Sequence, residues 1–170
     1  MNKLSANILA VSLLIGFTGG AMAATATATA NLQVTATVSA TCTATTTELN
    51  FGSYDPSSAS ANDNTGAVSV TCTNGTPYTV ALNAGSNAGT PGDVTTRRMR
   101  SGSSSFLPYQ IYTTAGRTTV WGDGANGSST QTNTGSGDAQ SFSAYGRIPA
   151  GQYVAPGNDY ADSVTVTVTY

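Results

Sequence analysis

Cys42 and Cys72 are the only thiols in a chain of 170 residues that contains no histidine. Ser-His-Asp and Cys-His nucleophilic catalysis are therefore excluded in their usual forms. Zinc loses its commonest nitrogen ligand. A spacing of 30 residues is also far from that of redox or metal-ligating cysteine pairs. The remaining groups with acid-base capacity are Glu48, Asp55, Asp63, Asp93, Asp123, Asp138, Asp159 and Asp162. A glycosidase needs two of them placed across a sugar bond, yet most neighbour Gly, Pro or Asn and read as turn residues. Trp121-Gly-Asp-Gly-Ala-Asn-Gly127 looks like a calcium loop, but it occurs once, without the repeats of calcium-binding arrays, and also reads as a turn. No catalytic residue, metal or cofactor is expected.

The compartment decides what the thiols do. Met1-Asn2-Lys3 supplies one positive charge, and Ile8–Phe17 is an apolar run too short to span a bilayer. Ala21-Met22-Ala23 is a small-x-small cleavage site, so residues 1–23 read as a signal peptide and the mature chain starts at Ala24. No later segment is apolar enough to insert in a membrane. In an oxidising compartment, two cysteines on an exported chain read as one disulfide, Cys42–Cys72. Lys3 leaves with the signal, so Schiff-base chemistry and lysine cross-links are closed to the mature chain. Charged residues are 8% of the whole, against a usual share of about 25%. Arg97, Arg98 and Arg100 form the only basic cluster, which is too small for a nucleic-acid surface.

These residues must be positioned by strands. No helical period is present after residue 23, whereas residues 24–41 alternate without a break. Ala26, Ala28, Ala30, Leu32 and Val34 share a face with Ala24, Ala36, Val38 and Ala40, and Thr, Asn, Gln and Ser hold the other. Fully extended, that run would reach about 60 Å, nearly twice the length of even a long strand of about 10 residues. Its second half is expected to pair within its own domain and its first half with something else. Further strands are expected at Thr35–Cys42, Glu48–Gly52, Gly66–Thr73, Tyr78–Asn83, Leu107–Thr113, Thr118–Trp121, Gln140–Tyr145 and Ser163–Tyr170. Asn74-Gly75 reads as a hairpin turn. Residues 57–65, 84–97 and 122–139 read as loops, the last as a mobile one. Many short strands spaced by turn residues imply an all-β sandwich or barrel.

Several segments, in order, resemble the spore coat protein U domain found in the major subunits of Csu-type, or archaic, chaperone–usher pili. They are Leu49-Asn-Phe-Gly-Ser-Tyr-Asp-Pro56, Gly66-Ala-Val-Ser-Val-Thr-Cys72, Tyr78-Thr-Val-Ala-Leu82 and Leu107-Pro-Tyr-Gln-Ile-Tyr112. Trp121-Gly-Asp-Gly124, Tyr145-Gly-Arg-Ile-Pro-Ala-Gly-Gln152 and Tyr160–Tyr170 complete the set. The alanine-rich N-terminal repeat and the polar stretch 122–139 depart from the usual pattern. The resemblance implies an incomplete immunoglobulin-like sandwich that lacks its last strand and is completed by the N-terminal strand of a neighbouring subunit. It also implies a periplasmic chaperone, an outer-membrane usher, a homo-polymer grown by donor-strand exchange, and a place on the cell surface in a pilus that supports attachment and biofilm growth.

On that reading, residues 24–35 form the donor strand, with Ala26, Ala28, Ala30, Leu32 and Val34 as its inserting side chains. Residues 36–170 form the sandwich. Val164, Val166, Val168 and Tyr170 alternate on one face of the final strand, which is expected to be the open edge of the acceptor groove. A second reading is a secreted, non-polymerising coat or carbohydrate-binding sandwich, in which Trp121, Tyr112 and Tyr153 would stack on sugars.

Overall fold

A computed structural model describes residues 24–170; the signal-peptide reading falls on residues 1–23, outside the described residues. Residues 24–37 belong to one unit and residues 38–170 to another. Within the first, residues 24–37 have exposed side chains and no strand pairing. The second is all-β with nine strands: β1 Cys42–Thr47, β2 Asn62–Cys72, β3 Pro77–Leu82, β4 Arg98–Ser101, β5 Ser105–Pro108, β6 Gln110–Tyr112, β7 Gln131–Thr134, β8 Ala139–Ile148 and β9 Val166–Thr169. They form a four-stranded sheet in the order β1-β2-β8-β6, a three-stranded sheet β7-β3-β9 and a β4-β5 hairpin, all antiparallel.

Period-two patterning builds the core between the two larger sheets. Val68, Val70 and Cys72 of β2 and Tyr78, Val80 and Leu82 of β3 are buried, and their sequence neighbours are half-buried or exposed. Ala144 and Ile148 of β8, with Leu107, Tyr109 and Ile111, extend the same core. Trp121 is 0% exposed, and its indole nitrogen donates to the Val80 carbonyl oxygen at 3.1 Å, so burial leaves no donor unpaired. Phe142 meets the Tyr78 ring edge-on at 6.2 Å between centroids.

Several expected elements differ. The strand expected at Thr35–Cys42 begins only at Cys42, because the ladder to β2 starts at the Cys42↔Cys72 pair and runs to Thr47↔Ala67. Glu48–Gly52 is not a strand. Leu49 and Phe51 instead pack against Gly146, where an added Cβ would lie 2.7 Å from both side chains; Leu49 also covers Gly66. Asn62–Thr65, read as loop, lengthens β2, and its Asp63 accepts two 2.7 Å hydrogen bonds from Arg147 across the ladder. Asn74-Gly75 does turn, with Gly75 at φ 80°, but it carries the chain from one sheet to the other and is no hairpin. Leu107–Thr113 is two strands, since the chain leaves β4 and joins β8 at Tyr109. Thr118–Trp121 makes only isolated bridges. Residues 122–139 are not a mobile loop throughout, because Gln131–Thr134 adds β7 to β3.

Arg97 is the polar centre of the fold. It is 1% exposed and donates five hydrogen bonds: to the carbonyl oxygens of Leu82, Asn83 (twice) and Trp121, and to Gln110 Oε1. Burial pushes its pKa down, but an arginine stays protonated, and its fork of donors answers carbonyls from three chain segments. Of the sequence cluster, then, one cation lies inside the protein and a second, Arg98, lies 3.7 Å above the Phe106 ring.

Replacing Arg97 with Ala strands those buried acceptors. We expect a loss of about 3 kcal/mol in urea unfolding, and an unchanged midpoint would show that water satisfies them equally well. Asp63 is held below its ordinary value of 3.8, chiefly by the Arg147 hydrogen bond. A depressed carboxylate stabilises the fold above its unfolded pKa, and the contribution disappears as pH falls through the folded one. Asp63→Asn should therefore cost at most about 1 kcal/mol at neutral pH, because the pair is exposed and screened. The gap to wild type should close in acid. A gap that widens on acidification contradicts the assignment.

Candidate functional site

The two larger sheets come together at a seam between a terminal strand of each. β1 ends the four-stranded sheet and β9 ends the three-stranded one. They run close together, yet among the described residues no strand pairing joins them. Each is bonded along one side only, to β2 and β3 respectively, so each presents a free row of backbone donors and acceptors toward the seam.

Register shows what lines it. Cys42, Ala44 and Thr46 stand opposite Cys72, Val70 and Val68, and cross-strand partners in an antiparallel ladder share a face. The inner face of β1 is thus small and hydroxylic, and beyond Cys42 it is exposed although it belongs to the core side. On the other lip, Val166 stands opposite Leu82 and Val168 opposite Val80. Leu82 and Val80 are buried, whereas Val164, Val166 and Val168 are only half-buried and Tyr170 is 58% exposed. The apolar stripe of β9 therefore has cover on its β3 side and lacks it on the seam side. Regular pairing covers only Val166–Thr169, shorter than Ser163–Tyr170. At Asn83 the ladder is irregular: Asn83 Oδ1 accepts from Thr165 N at 2.8 Å and from Gly85 N at 3.0 Å.

The last stretch is anchored from beneath. Asp162 accepts from the Tyr109 hydroxyl at 2.8 Å and from Asn87 N at 3.1 Å, and Arg100 and Ala161 exchange backbone bonds. Burial, then Asp162, pushes the Tyr109 phenol well up, so it remains a donor. Gly85 leaves room for that carboxylate, since a Cβ there would fall 2.0 Å from Asp162 Oδ2.

Among the residues expected from sequence, Cys42 and Cys72 are joined in a disulfide. Val164, Val166 and Val168 stand together on β9 and the segment before it. The expected donor set has no strand partner among the described residues: Leu32 is 88% and Val34 79% exposed, and Ala26, Ala28 and Ala30 are exposed too. Sequence reasoning missed Ala44 and Thr46 as the opposite lip. The signal was present, because the even-numbered alternation of residues 24–40 continues through Cys42, Ala44 and Thr46. For sugar stacking, Trp121 is unavailable, being fully buried, and Tyr112 is half-buried, which leaves Tyr153 exposed. The Asp123 loop is a turn: Asp123 Oδ1 accepts from Ala125 N at 2.9 Å, and Asn126 and Gly127 take positive φ.

Two antiparallel sheets with an open seam define an immunoglobulin-like sandwich. The Spore Coat Protein U domain matches residues 28–167, and the chain belongs to that family. The match takes in Ala28, Ala30, Leu32 and Val34 and the first two residues of β9. The chain is also similar to a chain in the crystal structure of the CsuC-CsuE chaperone–tip adhesion subunit pre-assembly complex from archaic chaperone–usher Csu pili of Acinetobacter baumannii. The TM-score is 0.57 at 25% identity, over 79% of this chain and 40% of that one, so this chain spans less than half of its neighbour's length. No curated protein matches the chain.

The geometry of β9 gives a direct test. Val168→Asp places a carboxylate beside buried Val80 and is expected to destabilise the domain by more than about 2 kcal/mol. Thr167→Asp, on the outward face, should change urea stability by no more than about 0.5 kcal/mol. Equal effects at the two positions would contradict the assigned faces.

Proposed function

We propose that this protein is a structural subunit of a chaperone–usher pilus, assembled by donor-strand exchange and serving surface attachment and biofilm growth. The observation that carries the reading is a match of form between two parts of one chain. The β1–β9 seam wants a strand with one apolar face, and residues 24–35 alternate as such a strand would and pair with no strand among the described residues. A guest there would give main-chain hydrogen bonds to the free edges and lay alternate side chains against the uncovered valines. Leu32 and Val34 carry most of the apolar gain, about 1.5–3 kcal/mol for full burial of each.

The guest comes from a second copy. A strand given to one neighbour while another is received is a heterologous contact that does not close, and repetition makes a filament. Until then the seam needs a temporary occupant, the role assigned to a periplasmic chaperone, with an outer-membrane usher for export to the surface. The similarity to a subunit complex of Csu pili supports these partners. The reading gives the chain no catalytic role, cofactor or nucleic-acid partner. The carbohydrate-binding alternative loses support with the burial of Trp121.

Deleting residues 24–34 should leave a subunit that binds its chaperone and forms no pili. Pili at wild-type abundance in electron micrographs from that strain would sink the proposal. Leu32→Asp should reduce assembly more than Ala26→Asp, and the reverse order would make the Ala-Thr repeat the true insert. Fusing residues 24–36 after Tyr170 through a short flexible linker should give a monomer that needs no chaperone and melts well above the unfused subunit. A fusion that gains no stability and still polymerises overturns the seam assignment.

A further inference from the structure

The strand that forms one lip of the acceptor seam is also the strand from which the donor segment leaves. The chain runs on from residue 35 to Thr41, and Cys42 is the first residue of β1. Tension drawn along residues 24–41 therefore enters the domain at the end of the β1–β2 ladder. Pulled apart at its end, an antiparallel ladder opens one pair at a time, and each interaction alone is weak. β1 has little else to hold it, because beyond Cys42 its side chains are exposed. Were β1 to peel, the seam would lose a lip, and the guest strand lying in it would lose half its backbone partners. A subunit under load through its own arm would then release the arm of its neighbour.

The disulfide lies at the point where this would start. Cys42 stands directly opposite Cys72 and is bonded to it. Immediately outside, Thr73 N donates to the Thr41 carbonyl at 2.9 Å, and Thr41 N donates to Thr73 Oγ1 at 3.0 Å. Cys72 ends β2, an interior strand paired on its other side with β8 over Asn62–Thr71. Gly135 lets the neighbouring chain lie against this corner, since a Cβ there would come within 2.8 Å of Cys72 Cβ.

We propose that the Cys42–Cys72 bond is a load-transfer clamp, one that passes tension from the donor segment past β1 into the central strand β2 and so keeps the acceptor seam closed while the subunit is pulled. The inference rests on the donor-strand reading and adds to it a coupling between a subunit's two ends. Without the bond the ends are mechanically linked through β1, and with it they are separated.

The test holds tethered polymers of the full mature subunit at constant force in magnetic tweezers, oxidised and after phosphine reduction, with thiol labelling to confirm that the bond is open. Polymers of Cys42→Ser/Cys72→Ala subunits serve as a second form where they assemble. Complete unfolding of a reduced subunit should be longer by roughly 100 Å, the length of the chain between cysteines 30 apart, which identifies the bond's state in each molecule. The clamp requires lifetimes under load to fall at least about tenfold on reduction, while unloaded dissociation changes by less than about threefold. Equal lifetimes under load, or equal losses with and without load, overturn it and leave donor-strand assembly standing. Failure of the oxidised subunit to form donor-linked polymers at all removes the proposed function, and the clamp with it.

Discussion

A sandwich must cover the inner faces of both its sheets, and at β1 and β9 that cover is incomplete. Val80 and Leu82 of β3 are buried, while their partners Val168 and Val166 on β9 are left half-covered. Val70 and Val68 of β2 are buried, while Ala44 and Thr46 beside them are exposed. The deficit is as much in hydrogen bonds as in apolar area, since both bordering strands are paired along one side only. A strand supplied from elsewhere answers both needs at once, and a single apolar side chain or a helix would answer one.

The rest of the domain keeps that seam in shape. Arg97 ties the end of β3 to β6 and to Trp121, and Trp121 ties back to β3 through Val80. Tyr109 and Asn87 fix Asp162, and with it the approach to β9. In a chain with so few charges, these polar groups do not form a surface field. They work as buried donors and acceptors, where low dielectric makes each pairing specific. The disulfide performs the equivalent task at β1, whose side chains bury too little to fix its register by packing.

Much of this was legible in residue order. Alternation gave β2 and β3 their inner faces, and Val68, Val70, Cys72, Tyr78, Val80 and Leu82 are buried in the core. An N-terminal stretch that reads as an export signal, taken with a lone cysteine pair, pointed to the disulfide that the structure contains. Boundaries were less legible. β2 reaches back to Asn62 because Asp63 meets Arg147 on β8, and a cross-strand ion pair leaves no mark on local sequence. Leu49 and Phe51 look like a strand, yet they fill space that exists only because Gly66 and Gly146 lie beneath them. β7 is hidden in a polar stretch, since an edge strand facing water needs no apolar period.

Residue type and period two were enough for the class of fold, the pairing of the thiols and the apolar alternation of residues 24–40. The sequence also carried the family, through motifs kept in order. Only the tertiary structure decided that Arg97 is a core residue, that Trp121 is closed to ligands, and that β1 and β9 are the two strands facing an unfilled seam. Those facts depend on which strands become neighbours. That choice is made by long-range register between residues far apart in the chain, and local periodicity contains no information about it.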